Sequence, residues 1–251
     1  MVTRSSLTKA AAVFMFLAVS PQSPAQETPA DASAATQVKA AQRGIRTDRL
    51  KPGHLKIWKA IERIALEANR DGRPVRPTFH SLWQWAQKSR HTIYVEMDDH
   101  EVFHHSAGVF TIEDFNQELQ SWTASIRLNL SIIQVADKIK KRIDGSNRSI
   151  SLREVGRDAR CAIIVGHELA HASLILENPQ YARLYQECER ETAAYYLAGG
   201  IAAKEYGNNL EMQKRLKRLQ SLMDQLEAPA DSVEVELWRE IVPGLANRAR
   251  K

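Results

Sequence analysis

The segment from residue 167 to 171 carries the residue types that can bind a metal ion. His167 and His171 are four positions apart, and Glu168 follows the first of them, in the pattern HExxH. On an α-helix, side chains at i and i+4 lie one turn apart on the same face, so both imidazoles can reach one divalent cation. The glutamate between them is then placed beside that cation, where its carboxylate can accept a proton. The spacing predicts a zinc site with Glu168 as general base.

The residues around this motif predict that its helix is buried. From Cys161 to Leu176 the sequence is apolar almost throughout, interrupted mainly by the three motif residues. A helix that is apolar on all sides is packed on all sides. A buried carboxylate beside two imidazoles costs free energy unless a positive charge compensates it, and a divalent cation does so. Burial therefore favours a metal site over a pair of core histidines.

A catalytic zinc ion takes three protein ligands and keeps one position open. A second helix, predicted from about residue 181 to 206, carries several acidic residues past the first. Glu191 is the best candidate for the third ligand, because Ala194 and Ala198 give its face small side chains that let two helices approach closely. Glu187 shares that face one turn earlier and is the alternative.

The motif resembles a known family of zinc peptidases. The resemblance is carried by His167, Glu168, His171 and Glu191, which are spaced as in the thermolysin-type gluzincins, and the ExxA pattern at Glu191 is similar to that of minimal gluzincins. It covers some 40 residues and implies a zincin-like fold, with zinc on the two histidines and Glu191 and with Glu168 as catalytic base. Where many of these families have an aspartate that supports the first histidine, this chain has Tyr195, which could donate a hydrogen bond to a ligand or to the substrate.

The resemblance also implies an activity. A zinc-activated water would attack a peptide bond, and Glu168 would take its proton and pass it to the leaving nitrogen. Five residues are candidates for stabilising the oxyanion: His100, His104, His105, Tyr195 and Tyr196. In related folds the substrate pairs with an edge strand beside the active helix. By order along the chain, that strand would be 106–112 or 125–135.

A second function of a different class is a non-catalytic envelope domain, or a pseudo-peptidase, in which zinc is structural. Glu168 favours catalysis, because a structural site needs the two histidines but not the glutamate between them.

The rest of the sequence predicts the elements that position the motif. Residues 91–97, 106–112 and 125–135 are rich in β-branched and aromatic residues, which predicts three strands of a small, mostly antiparallel sheet. Helical periodicity covers 54–70 and the segment after Pro77, and from the third strand onward it holds to the end of the chain, with a last long helix at about 209–226. The basic clusters at 138–142 and 214–218 are interpreted as solvated helix faces. The predicted fold class is α+β and zincin-like, in which the sheet packs on the buried HExxH helix and on a second ligand-bearing helix, with further helices at both ends.

The N-terminus predicts export. Residues 1–25 have a positive start, ten apolar residues from Ala10 to Val19 and a small-residue cleavage site, as in a signal peptide. Residues 26–45 are interpreted as a flexible linker and 46–251 as the metallopeptidase domain. The mature protein is expected to be periplasmic or secreted, without a stable membrane span, since ten apolar residues are too few to cross a bilayer.

The composition limits the classes of partner that this protein is expected to bind. The chain has 251 residues, 35 Lys and Arg against 30 Asp and Glu, and 43% hydrophobic residues, which excludes a disordered chain. The net charge of +5 gives no basis for nucleic-acid binding, so the expected partner is a peptide or protein substrate. If the two zinc-site helices are antiparallel, Cys161 and Cys188 lie about 13 Å apart, beyond the reach of a disulfide. They are expected to be two buried thiols.

Overall fold

In the computed structural model, the described residues are 43–99, 106–135, 138–143, 146–151, 155–197 and 210–242. The predicted signal peptide and most of the linker lie outside them, as do His100, His104 and His105. The helices of the described part are α1 (Pro52–Leu66), α2 (Pro77–Lys88), α3 (Leu130–Val135), α4 (Arg157–Glu177), α5 (Pro179–Leu197) and α6 (Leu210–Ile241). The strands are β1 (Gly44–Arg46), β2 (Thr92–Asp98), β3 (Gly108–Asn116), β4 (Ser121–Asn129), β5 (Lys138–Ile143) and β6 (Ser146–Ser151). The α+β composition agrees with the prediction.

The main sheet has the strand order β1-β2-β4-β3. β2 runs parallel to both β1 and β4, and β3 pairs antiparallel with β4. The prediction of a mostly antiparallel sheet is therefore wrong, because the hairpin of β3 and β4 inserts β4 between β2 and β3. Along β2, Ile93, Val95 and Met97 alternate with less buried residues and face the core. That alternation was visible in the sequence, but it carries no information on strand order.

The third predicted strand ends earlier than expected. β4 stops at Asn129, and the chain turns into the short helix α3 instead of extending to residue 135. The Oδ1 atom of Asn129 accepts a hydrogen bond from the backbone N–H of Ile132 at 3.3 Å. A side-chain oxygen placed in this way caps a helix start, which explains why the apolar run after Asn129 is helical.

The basic segment at 138–142 is not helical. β5 pairs antiparallel with β6, with Ile139 opposite Ile150 and Ile143 opposite Ser146. The sequence between them is Asp144-Gly145, a dipeptide that is typical of β-hairpins. The interpretation of residues 138–142 as a helix face is therefore wrong.

Helix α4 is the central element of the core. It packs against α1, α2, β3, β4, α5 and α6, which confirms the prediction that the motif helix is buried. A Cβ atom at Gly166 would lie 2.5 Å from Cδ1 of Leu237, so the absence of a side chain there lets α6 approach closely. By length and composition α4 could cross a membrane, but 67% of its most apolar stretch is buried inside the fold. Its apolar character fits its place in the core.

The helices that flank α4 begin near the predicted positions. On α1, Trp58, Ile61 and Ala65 are buried, and on α2 the buried residues include Phe79 and Trp83, as their spacing predicted. The last helix differs, because it continues past the predicted end near residue 226 to Ile241 and contains Pro229. This extension brings further acidic residues to α4.

The two cysteines are free and buried, as predicted. Cys161 lies on α4 and Cys188 on α5. Burial raises the pKa of each thiol to about 12. Buried, protonated thiols behave as small apolar side chains, so both act as core residues here.

Candidate metal centre

The two histidines of the motif face each other on α4, as their spacing predicted. Their Nε2 atoms are 3.1 Å apart, and the ring centroids are 4.7 Å apart. The side chains of His167 and His171 are 12% and 9% exposed. Two imidazole nitrogens thus converge on one point that is nearly closed to solvent.

A third donor atom reaches this point from α6. The Oε2 atom of Glu227 lies 3.6 Å from Nε2 of His167 and 3.5 Å from Nε2 of His171. Ligands that bind zinc tetrahedrally at about 2.1 Å are about 3.4 Å from one another. The observed triangle of 3.1, 3.5 and 3.6 Å is close to that spacing. These three residues therefore fit a zinc ion with one position left open.

Glu191, the predicted third ligand, lies elsewhere. Its carboxylate is 3.5 Å from Nη1 of Arg215 and 3.4 Å from Nη1 of Arg218, both on α6. The alternative ligand, Glu187, also contacts Arg218. α5 therefore directs these carboxylates to arginines of α6, and Glu227 takes the position predicted for Glu191. The small residues beside Glu191 could not show this, because they indicate close helix approach and not which neighbour the carboxylate meets.

A second carboxylate of α6 lies behind His167. The Oε2 atom of Glu234 is 3.0 Å from Nδ1 of His167, and Oε1 accepts a hydrogen bond from Nε1 of Trp238 at 3.0 Å. Glu234 is 5% exposed. The Oε2 and Nδ1 atoms do not meet hydrogen-bond geometry, but a carboxylate at this distance attracts a proton to Nδ1 electrostatically. A proton on Nδ1 leaves the Nε2 lone pair for a metal. Tyr195 stands in the sequence where many gluzincins have an aspartate that supports the first histidine, and it lies on α5. In this protein the carboxylate next to His167 comes instead from Glu234 on α6.

The carboxylate of Glu168 lies against the main sheet. A Cβ atom at Gly108 in β3 would be 2.6 Å from Oε1 of Glu168, and Cγ2 of Ile164 would be closer still. Glu168 is 5% exposed, and its burial raises the pKa of its carboxyl group. The predicted general base thus follows His167 on α4 and has its carboxylate against the backbone of β3.

The histidines and carboxylates of the centre shift the pKa values of one another. Burial alone would lower the pKa of His167, but Glu227 and Glu234 raise it to about 10. Burial alone would raise the pKa of Glu227, but the two histidines hold it well below its ordinary value. Three carboxylates, those of Glu168, Glu227 and Glu234, thus surround two imidazoles in a buried site. The raised pKa of His167 means that a proton on its imidazole supplies the compensating positive charge. A divalent cation bound to the two imidazoles would displace that proton and take over its charge.

Glu227 and Glu234 were not predicted from the sequence. One signal was present: the apolar stripe of α6 includes Leu226, Ala230 and Leu237, and Glu234 occupies a position of that stripe where an apolar residue is expected. A glutamate on the buried face of a helix needs a partner inside the protein.

Of the two segments predicted to form an edge strand beside the active helix, the structure places one at the edge. β3 is the outer strand of the main sheet, whereas residues 125–129 belong to β4, which lies between β2 and β3.

Comparison with known proteins gives no further assignment. No family model matches the chain, and neither characterised proteins nor solved structures match it significantly. The likeness to gluzincins therefore rests on the HExxH motif and its surroundings.

Proposed function

We propose that this protein is an exported zinc-dependent metallopeptidase. The observation that carries the proposal is the triangle of donor atoms from His167, His171 and Glu227, together with the buried carboxylate of Glu168, the residue that follows His167. A structural zinc site would use the triangle but would not need Glu168.

The residues around the site have separable roles in peptide hydrolysis. When bound, zinc lowers the pKa of water and polarises a carbonyl group. Glu168 accepts the proton of the attacking water and donates it to the leaving nitrogen of the cleaved peptide bond. Glu234 keeps Nε2 of His167 directed toward the metal position.

The substrate surface that fits this arrangement is the outer edge of β3, called its free edge here because no strand of the described residues pairs with it. An extended peptide can add to an exposed strand through backbone hydrogen bonds. Gly108 of β3 lies against Glu168, so a peptide on this edge would pass the general base. The proposed substrate is therefore a peptide or protein segment in extended conformation.

Metal analysis together with a peptide-library assay tests the proposal. We expect about one zinc ion per chain in the purified mature protein, and we expect His167→Ala to lose it while the control His80→Ala keeps it. Glu168→Gln should retain zinc and lose hydrolysis of the library. A metal-free folded protein would rule out any zinc site. A zinc-bound wild type without cleavage would favour the non-catalytic alternative.

A further inference from the structure

The backbone N–H and C=O groups that point to the free edge of β3 can be identified one by one. The backbone N–H of Asn129 in β4 donates to the carbonyl oxygen of Ala107 at 3.0 Å, so the backbone of Ala107 faces β4. Backbone groups in an antiparallel pair alternate between the partner strand and the opposite side. The N–H and C=O groups of Gly108, Phe110 and Ile112 therefore point to the free edge.

Two side chains occupy parts of this edge. The hydroxyl of Ser106 donates to the carbonyl oxygen of Gly108 at 2.6 Å. At the other end, the backbone N–H of Ile112 donates to the hydroxyl of Tyr185, at a distance of 3.5 Å. Among the described residues, the edge groups between these contacts that have no hydrogen-bond partner are the N–H of Gly108 and both backbone groups of Phe110.

Tyr185 is held in place from several sides. It is 5% exposed, and its ring packs edge-on against the ring of Phe110, with centroids 6.1 Å apart. Its hydroxyl is also hydrogen-bonded to Glu189, one turn later on α5. The hydroxyl thus donates to a carboxylate and accepts from Ile112, which uses both of its functions. Just beyond Ile112, the register of β3 with β4 shifts before Asp114.

We infer that Tyr185 terminates the substrate-binding edge, so that the protein takes a short extended peptide segment held at Gly108 and Phe110. The inference rests on the proposed function for the location of the substrate. Three backbone groups can hold a segment of roughly three residues, since strand partners alternate with a period of two. Peptide residues beyond Tyr185 should therefore add no backbone hydrogen bonds to β3.

A series of peptides of increasing length tests the inference by direct binding. The parent protein is zinc-loaded Glu168→Gln, which does not cleave its ligand, and dissociation constants are measured by fluorescence anisotropy. We expect affinity to stop rising once a peptide fills the short edge. Adding Tyr185→Leu removes both the hydroxyl and the ring that cover the N–H of Ile112, so longer peptides should bind about 2- to 10-fold tighter, as expected for one added hydrogen bond, while the shortest are unchanged.

Two further variants serve as controls for this experiment. Tyr181→Phe, one turn earlier on α5, should behave as the parent protein. Tyr185→Phe keeps the ring, which still covers the edge, so it should also bind longer peptides as the parent protein does. The folding of Tyr185→Leu is checked by circular dichroism. The same length dependence in the parent and in Tyr185→Leu would overturn the inference.

The cleavage assay and the binding assay test the two proposals separately. A wild type that cleaves peptides, although no variant shows a length effect, contradicts only the role of Tyr185. A protein that shows the length effect but cleaves no peptide contradicts only the proposed activity.

Discussion

The carboxylate of Glu234 lies 3.0 Å from Nδ1 of His167, although the two residues are on different helices and 67 positions apart. Trp238 fixes the other oxygen of the same carboxylate. The orientation of the first motif histidine thus depends on α6 and not on the helix that follows the motif. Because Glu234 contacts the ring on the side away from the metal position, it can tune metal binding without being a ligand.

Replacing Glu234 by Gln should weaken zinc binding about 10- to 100-fold, the usual effect of losing a carboxylate behind a ligating histidine. Competition with a chelator measures this affinity directly. Glu236→Gln is the matched control, because Glu236 lies on the same helix but pairs with Arg239 at the surface. Equal zinc affinity in the wild type and in Glu234→Gln would show that the contact does not support His167.

The choice between Glu227 and Glu191 as third ligand is tested by two substitutions. Glu227→Ala should reduce bound zinc well below one ion per chain, since it removes one of three donor atoms. Glu191→Ala should leave the zinc content unchanged, because this carboxylate contacts Arg215 and Arg218 instead. Zinc loss in Glu191→Ala with retention in Glu227→Ala would restore the assignment made from the sequence.

The parts of the centre that could be predicted are those set by local spacing. His167, Glu168 and His171 share one helix, and helical geometry alone brings the two imidazoles together. Burial of that helix also followed from its composition. The third ligand depends on which helix covers α4, and no local pattern encodes that choice. Glu227 lies just before Pro229, where a helix would normally end, so its helix was not expected to extend there.

In the sheet, too, the features set by local sequence could be predicted and those set by tertiary pairing could not. The strands were found because β-branched and aromatic residues alternate locally. Their order was not found, because the placement of β4 between β2 and β3 depends on tertiary pairing. The mixed sheet puts β3 at the edge beside Glu168, and this relationship determines where a substrate could bind.

Gly108→Ala should lower peptide cleavage more than it lowers zinc content. The added Cβ atom would overlap Oε1 of Glu168 and the side chain of Ile164, which forces the general base to move. Loss of a positioned general base lowers turnover by about 10²- to 10⁴-fold. The control is Gly53→Ala in α1, where nothing lies within 4 Å of the added Cβ atom, and helix propensity favours alanine by up to about 1 kcal/mol. Unchanged turnover in a folded Gly108→Ala protein would contradict this placement of Glu168.

Stability should fall in mild acid because of His91. This side chain is fully buried, and its Nδ1 atom accepts a hydrogen bond from the backbone N–H of Trp122 at 2.9 Å. Burial lowers the pKa of His91 below 6.5, an effect that Arg90 supports and Glu177 opposes. The unfolded chain therefore binds a proton where the folded chain does not. The free energy of unfolding should decrease as the pH falls below about 6.5 and level off below the folded-state pKa.

Urea unfolding of the wild type and of His91→Gln between pH 5 and 8 measures this contribution. Glutamine can still accept the hydrogen bond from Trp122, but it does not titrate. We expect the variant to be less stable than the wild type at pH 8, where the buried imidazole packs fully, and to lose less stability on acidification. The two proteins should therefore approach each other in stability toward pH 5. Parallel pH profiles would show that His91 has the same pKa in the folded and in the unfolded chain, which contradicts the buried, hydrogen-bond-accepting imidazole described above.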